Sequence, residues 1–155
     1  MPTSSIVRKH LDPQPFLFVR RRVAPSEIAQ AVGESFGAVM GYGHSVGAVF
    51  AGRPSTRYPE MGRGMMTLEA GFPIASAVAG NGVVESGTLS GGSVLFAVHE
   101  GAYAELGESY ATMEKWMEAN GAKPAGAPWE SYITDPAEHP NPADWRTEIY
   151  WPIGD

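Results

Sequence analysis

A four-residue stretch from the first third of the chain returns near its end. Gly33-Glu34-Ser35-Phe36 recurs as Gly107-Glu108-Ser109-Tyr110, 74 positions on. The same offset carries Gly47-Ala48 onto Gly121-Ala122, Ala51-Gly52 onto Ala125-Gly126, Pro54 onto Pro128 and Tyr58 onto Tyr132. After a change in loop length, Glu69 and Pro73-Ile74 reappear as Glu148 and Pro152-Ile153, now 79 positions on. Matches that keep their order over most of each half mark a duplicated structural unit. The expectation is one domain over residues 1–155, with repeat one over about 14–76 and repeat two over about 92–154.

Each unit has a coarse reading. Phe16 to Val23 is rich in β-branched and aromatic residues, as a strand requires. Pro25 suits a first helical position, and Glu27 favours the positive end of a helix dipole. Ile28, Val32, Phe36 and Val39 then recur at helical spacing, and Gly41, Gly43 and Gly47 end the helix. Short strands are expected around Ala48 to Arg53 and Met65 to Ile74. In the second unit, Ser93 to His99 alternates as a strand does. Tyr103, Leu106, Tyr110, Met113 and Met117 give a helix one apolar face, and Asn120-Gly121 supplies a left-handed stop. Strands over Trp129 to Thr134 and Arg146 to Ile153 complete it. Between the units, Gly80, Gly82, Gly87, Gly91 and Gly92 mark a turn-rich connection. Neither strand-helix-strand-strand unit covers its own sheet face. The predicted fold is therefore α+β, two pseudo-symmetric repeats packed around a central groove, where apolar walls meet a few polar groups.

Composition narrows the function. Eleven basic and seventeen acidic residues leave a net charge of −6, which argues against a nucleic-acid or anionic-membrane surface. Arg20-Arg21-Arg22 falls on a strand and reads as a solvated edge. The absence of cysteine excludes disulfides, thiolate nucleophiles and cysteine metal sites. No apolar run has the length of a signal peptide or a membrane span, so the expectation is a cytoplasmic protein with no membrane partner. The four histidines, His10, His44, His99 and His139, lack metal-ligand spacing, and neither a metal nor a cofactor is implied. His99 alone ends a strand near the expected groove. Gly43-His44-Ser45-Val46-Gly47 matches a nucleophile-elbow pattern, but a helix precedes Ser45 where the elbow needs a strand. Gly80-Asn81-Gly82 opens like a dinucleotide fingerprint but lacks its third glycine and its helix, and reads as a turn.

Three further segments converge. "VHEGAYAEL" (Val98 to Leu106), "GAPWESYITDP" (Gly126 to Pro136) and "RTEIYWPI" (Arg146 to Ile153) resemble the GyrI-like small-molecule-binding domain, with "GRPSTRYPE" and "LEAGFPI" in the first half. This is also the effector-binding fold of some MerR- and AraC-type multidrug regulators. Ala102 departs from the proline that family members often carry there. The resemblance implies the same duplicated fold, with a glutamate at the position of Glu130 on a pocket floor among aromatic rings, receiving cationic, lipophilic ligands. Some stand-alone members hydrolyse cyclopropane-containing electrophiles, and the namesake inhibits gyrase. The chain leaves no room for an attached helix-turn-helix, so direct nucleic-acid binding is not expected.

The residues support a pocket independently. A carboxylate among aromatic walls is desolvated and costly until a cation or donor reaches it. Aromatic faces attract cations as well. Along an extended strand Glu130 and Tyr132 share a face while Trp129 points to the other. Ligand-binding candidates are thus Glu130, Tyr132, Tyr103, Trp129, Tyr58 and Glu148. If Glu130 and Glu148 converge, they form an acid–base pair for catalysis; Glu69, the repeat partner of Glu148, is a weaker candidate. Tyr110 reads as core, because Phe36 stands at its place in the first repeat.

Three functions follow. A stand-alone binding module for a small hydrophobic, cationic or electrophilic ligand leads. A hydrolase opening cyclopropane-type electrophiles with paired glutamates comes second, and a gyrase-inhibitor-like interaction protein third. Homodimerisation is left open, since no apolar stripe requires it.

Overall fold

A computed structural model describes residues 3–60 and 64–154. Ten elements follow in chain order: β1 (Val7–Leu11), β2 (Gln14–Val23), α1 (Ile28–Ser45), β3 (Ser55–Glu60), β4 (Met66–Pro73), β5 (Glu85–Leu89), β6 (Gly92–Glu100), α2 (Leu106–Asn120), β7 (Trp129–Tyr132) and β8 (Arg146–Pro152). The fold is α+β, and its strands pair antiparallel. The chain resolves into two compact units: Asp12–Gly91, and residues through Leu11 together with those from Gly92 onward.

In the Asp12–Gly91 unit the strands run in the order β5-β2-β4-β3. Pro25 opens a 3-10 turn ahead of α1, where the Glu27 carboxylate accepts the Ala24 N–H at 2.9 Å. Its helix buries Ala31, Ser35, Val39 and Gly43 at a spacing of four. That stripe lies one position from the predicted Ile28, Val32 and Phe36, which are half-buried at its flank. Gly43 makes the shift possible: a Cβ there would meet the Phe50 ring at 2.6 Å. The second predicted strand is misplaced. Ala48 to Arg53 contributes a single bridge, Phe50 to Ile74, and the paired strand begins at Ser55. The basic run on β2 is consumed by ion pairs, Arg20 with Glu69, Arg21 with Glu34 and Arg22 with Glu60.

In the other unit the order is β1-β6-β8-β7. Here α2 buries Leu106, Tyr110, Met113 and Met117, as their spacing predicts, against Leu95, Ala97 and Ile149 of the sheet. Gly121 closes the helix at φ +67°, a left-handed conformation that glycine adopts without strain. Strands β1 and β5 lie outside the strands expected from the sequence.

The two ladders can be compared position by position. Arg20 faces Glu69, which faces Arg57, in one ladder. Val98 faces Glu148, which faces Ser131, in the other. Gly71 and Tyr150, and Thr56 and Glu130, correspond in the same way.

The apolar face of this second unit generates the first prediction. Ile149→Ala removes a fully buried side chain beneath α2 and should lower unfolding free energy by about 2–5 kcal/mol. Urea-induced unfolding followed by circular dichroism measures it.

Candidate functional site

Strand alternation decides which side chains meet. In the ladder between β7 and β8, Glu130 pairs with Ile149 and Tyr132 with Thr147, while Trp129 pairs with Tyr150 and Ser131 with Glu148. Ile149 belongs to the core under α2. Glu130 and Tyr132 therefore share the α2 side of the sheet, and Trp129, Glu148 and Tyr150 lie on its reverse.

On the α2 side, the Glu130 side chain is almost fully buried at 3 % exposure. Two phenols hold it: the Tyr110 hydroxyl donates to Oε2 and the Tyr132 hydroxyl to Oε1, each at 2.8 Å. Hydrogen bonds to a charged group contribute about 1.5–3 kcal/mol each, which offsets part of the cost of removing the carboxylate from water. The Tyr110 ring meets Trp151 edge-on with centroids 5.6 Å apart.

Tyr103 lies not in the helix itself but in the 3-10 turn before it, Tyr103–Glu105. Its ring packs between Tyr132 at 5.4 Å and Trp145 at 4.6 Å. Trp145 is fixed in turn, its indole N–H donating to the His139 carbonyl and its own carbonyl accepting from Gly101. Burial, and then the negative charge of Glu130, raise the Tyr103 phenol above its ordinary pKa of 10.0, with Asp135 adding to the effect. Thr147, opposite Tyr132, has a buried hydroxyl with no hydrogen-bond partner among the described residues. The arrangement is a buried carboxylate held by two phenols, with one indole ring packed on Tyr110 and another on Tyr103. Such a site can hold a cation through charge and through ring faces, at roughly 0.5–2 kcal/mol per aromatic contact.

His99 is fully buried but is not part of this chemistry. Its Nε2 donates to the Ala102 carbonyl at 3.1 Å, and its Nδ1 shares a 2.7 Å hydrogen bond with the Ser109 hydroxyl. Ser109 bonds onward to Thr3 at 2.7 Å, so the network ties β6, α2 and the N-terminal segment together. No described cluster of histidine and acidic residues could hold a metal ion. Ser45 ends α1, with its hydroxyl on the Tyr42 carbonyl, and forms no elbow.

The structure does not bring every expected residue together. Glu148 accepts from the Tyr150 hydroxyl at 2.8 Å on the reverse face, so it does not converge with Glu130 and the two cannot share one water. Trp129, also on that face, stacks on Tyr150 with centroids 5.3 Å apart. Tyr58 belongs to the Asp12–Gly91 unit, in the core with Val23, Ala31, Leu68 and Ala70. Three ring residues of the site were not anticipated there: Tyr110, Trp145 and Trp151. Tyr110 carried a signal, because the repeat turns Phe36 into Tyr110 and Thr56 into Glu130 together. The donor and the acceptor arise in the same unit.

The linkage to pH can be measured. A phenol whose pKa is raised in the folded state stabilises the protein fully below its unfolded value near 10, and that contribution fades as pH rises through the folded value. Ultraviolet titration of wild type against Tyr103→Phe should place Tyr103 ionisation above pH 10. Glu130→Gln should bring it down, since the second cause of the shift is gone.

Comparison with known proteins places the fold. A family model described as the GyrI-like small molecule binding domain matches residues 5–154, and the chain belongs to that family. No curated protein matches it. Among solved structures, the EcmrR C-terminal domain has a TM-score of 0.85 at 20% identity, covering 97% of this chain and 98% of that one. A hydrolase from Listeria innocua has a TM-score of 0.68 at 18% identity, over 99% and 94% of the two chains. SAV2435, solved bound to tetraphenylphosphonium, has a TM-score of 0.66 at 11% identity, over 97% and 94%. At these identities the likeness is one of fold. Among the described residues, no helix is long and apolar enough to cross a membrane.

Proposed function

We propose that this member of the GyrI-like family binds a hydrophobic organic cation at Glu130, with Tyr103, Tyr132 and Trp145 as its aromatic wall. One observation carries the reading. A nearly fully buried carboxylate is held on two tyrosine hydroxyls, at a position where the other repeat has Thr56. Since the same three-strand ladder forms around a threonine, the fold does not require an acid there. A bulky cation whose charge is spread over apolar groups is cheap to desolvate and matches a buried carboxylate flanked by rings. The tetraphenylphosphonium complex of SAV2435 shows that a protein of this fold takes such a compound.

Hydrolysis of a cyclopropane-type electrophile is the second reading, favoured by the hydrolases of like fold from Listeria innocua. In this chain it would run without the glutamate pair. Glu130 would orient water, and one of the phenols around it would supply the proton. A cytoplasmic location and a gyrase-inhibitor-like interaction have no comparable support in the site.

Titration calorimetry with tetraphenylphosphonium tests the first reading. Wild type should bind, and Glu130→Gln should bind about tenfold more weakly or worse, because one unit of ligand-facing charge is lost. Glu148→Gln should leave the affinity unchanged. Equal affinity in wild type and Glu130→Gln would refute the role of Glu130. Mass spectrometry of cyclopropane-bearing electrophiles incubated with sub-stoichiometric protein separates the second reading, since addition of water over many turnovers would make the protein an enzyme.

A further inference from the structure

The duplicated ladder supplies its own control for Glu148. In the Asp12–Gly91 unit, the equivalent Glu69 is 2 % exposed and is held by two guanidinium groups from its cross-strand neighbours. Arg20 donates to Oε2 from Nε at 2.9 Å and Nη2 at 2.6 Å, and Arg57 donates from Nε to Oε1 at 2.7 Å. Both guanidiniums also lie over the Phe18 ring, at 5.8 and 5.6 Å from its centroid. That unit therefore keeps a planar cation between a carboxylate and an aromatic face.

In the second unit the carboxylate is retained and both cations are gone. The cross-strand neighbours of Glu148 are Val98 and Ser131, at the places of Arg20 and Arg57. Among the described residues, no ion pair joins Glu148 to an arginine or lysine. The adjacent row has changed in the opposite sense. Phe18, Gly71 and Ser55 line up in the first ladder, whereas Phe96, Tyr150 and Trp129 line up in the second. Phe96 packs on Tyr150 at 5.1 Å and Tyr150 on Trp129 at 5.3 Å, giving a continuous row of three rings. Glu148, Tyr150 and Phe96 are all partly open to solvent. The row already attracts positive charge, since the Lys9 ammonium lies 3.6 Å from the Phe96 centroid.

We propose that Glu148 anchors a second cation site, on the reverse face of the sheet from Glu130, which takes a planar guanidinium- or amidinium-bearing small molecule. The ligand's paired N–H groups bond the Glu148 carboxylate as Arg20 bonds Glu69, and its plane lies along the Phe96, Tyr150 and Trp129 rings. The site differs in chemistry from that of Glu130. It is partly open and suits a hydrogen-bonding planar cation, whereas the buried carboxylate suits an apolar one. It stands independently of the function proposed above, because it uses a different carboxylate on a different face.

Benzamidine is the probe, with binding followed by calorimetry and by tryptophan fluorescence from the Trp129–Tyr150 stack. Wild type should bind, and Glu148→Gln should bind about tenfold more weakly. Ser131→Arg restores the cation found at Arg57 and should abolish benzamidine binding while leaving the thermal midpoint unchanged or higher. Circular dichroism confirms that each variant is folded; should Ser131→Arg fail to fold, the near-isosteric Glu148→Gln decides alone. No binding to wild type, undiminished binding to Glu148→Gln, or loss confined to Glu130→Gln would each overturn the proposal.

Discussion

The pairing register of β7 against β8 is the constraint on which both carboxylates depend. Side chains alternate along a strand, so a slip of one residue would carry every side chain of β7 to the opposite face. Glu130 would leave its phenols and Trp129 would be driven under α2. What prevents the slip is apolar burial on both faces. Leu95, Ala97 and Ile149 are sealed beneath α2, while Trp129 is stacked on Tyr150 behind them. Exposing a buried residue of that size costs about 1.5–3 kcal/mol. The core thus sets the chemistry of the site before any polar contact forms.

Within that frame, Glu130 is held where the fold alone would not place a charge. At the equivalent position of the first unit Thr56 is buried, with its hydroxyl lacking a hydrogen-bond partner among the described residues. A threonine is tolerated in the ladder, since one unmade neutral hydrogen bond costs far less than an uncompensated carboxylate. Placing an acid there required donors, and the second unit has one in Tyr110, where the first has Phe36. The phenol ring still packs against Trp151 and still belongs to the helix–sheet core. One hydroxyl therefore lets a core aromatic donate to the acid. That is why periodicity alone assigned Tyr110 to the core.

The α+β class, both helices and the faces of Glu130, Tyr132 and Trp129 were all legible in the sequence, because each rests on spacing. What was not legible rests on pairing across distance. Strand β1 sits in a polar stretch, Val7–Leu11, and takes its place only by pairing with β6. Strand β5 lies among glycines that read as turns, yet Gly87 closely meets the Phe18 ring, where a Cβ would approach to 2.9 Å. The convergence of Glu130 with Glu148 failed for the same kind of reason. Both sit two residues before a tyrosine that donates to them, at 2.8 Å in each case, so their local motifs are alike. Only the cross-strand register shows that the two motifs face opposite ways. Trp145 was missed because its position follows from a 3-10 turn, Pro142–Asp144, that delivers its ring onto Tyr103.

The two carboxylates also differ from the corresponding positions of the other ladder. Each has an equivalent position in the other ladder, and the two differ from it in opposite ways. At Glu130 the counterpart is Thr56, and hydroxyl donors gather around the acid. At Glu148 the acid has a counterpart in Glu69, whose arginine partners have no equivalent in the second unit. In the first unit the corresponding places are satisfied within the chain, by a threonine and by two internal guanidiniums. The unit carrying Tyr103, Tyr110 and Trp129 holds both acids, and with them the features that point to ligands. An internal cation makes a buried carboxylate a structural element, since the charge is already matched. With valine and serine at the places of the arginines, Glu148 keeps a neutral donor in the Tyr150 hydroxyl and has no arginine or lysine ion pair among the described residues. The difference between the two ladders therefore singles out Glu130 and Glu148 more sharply than the presence of an acidic residue alone.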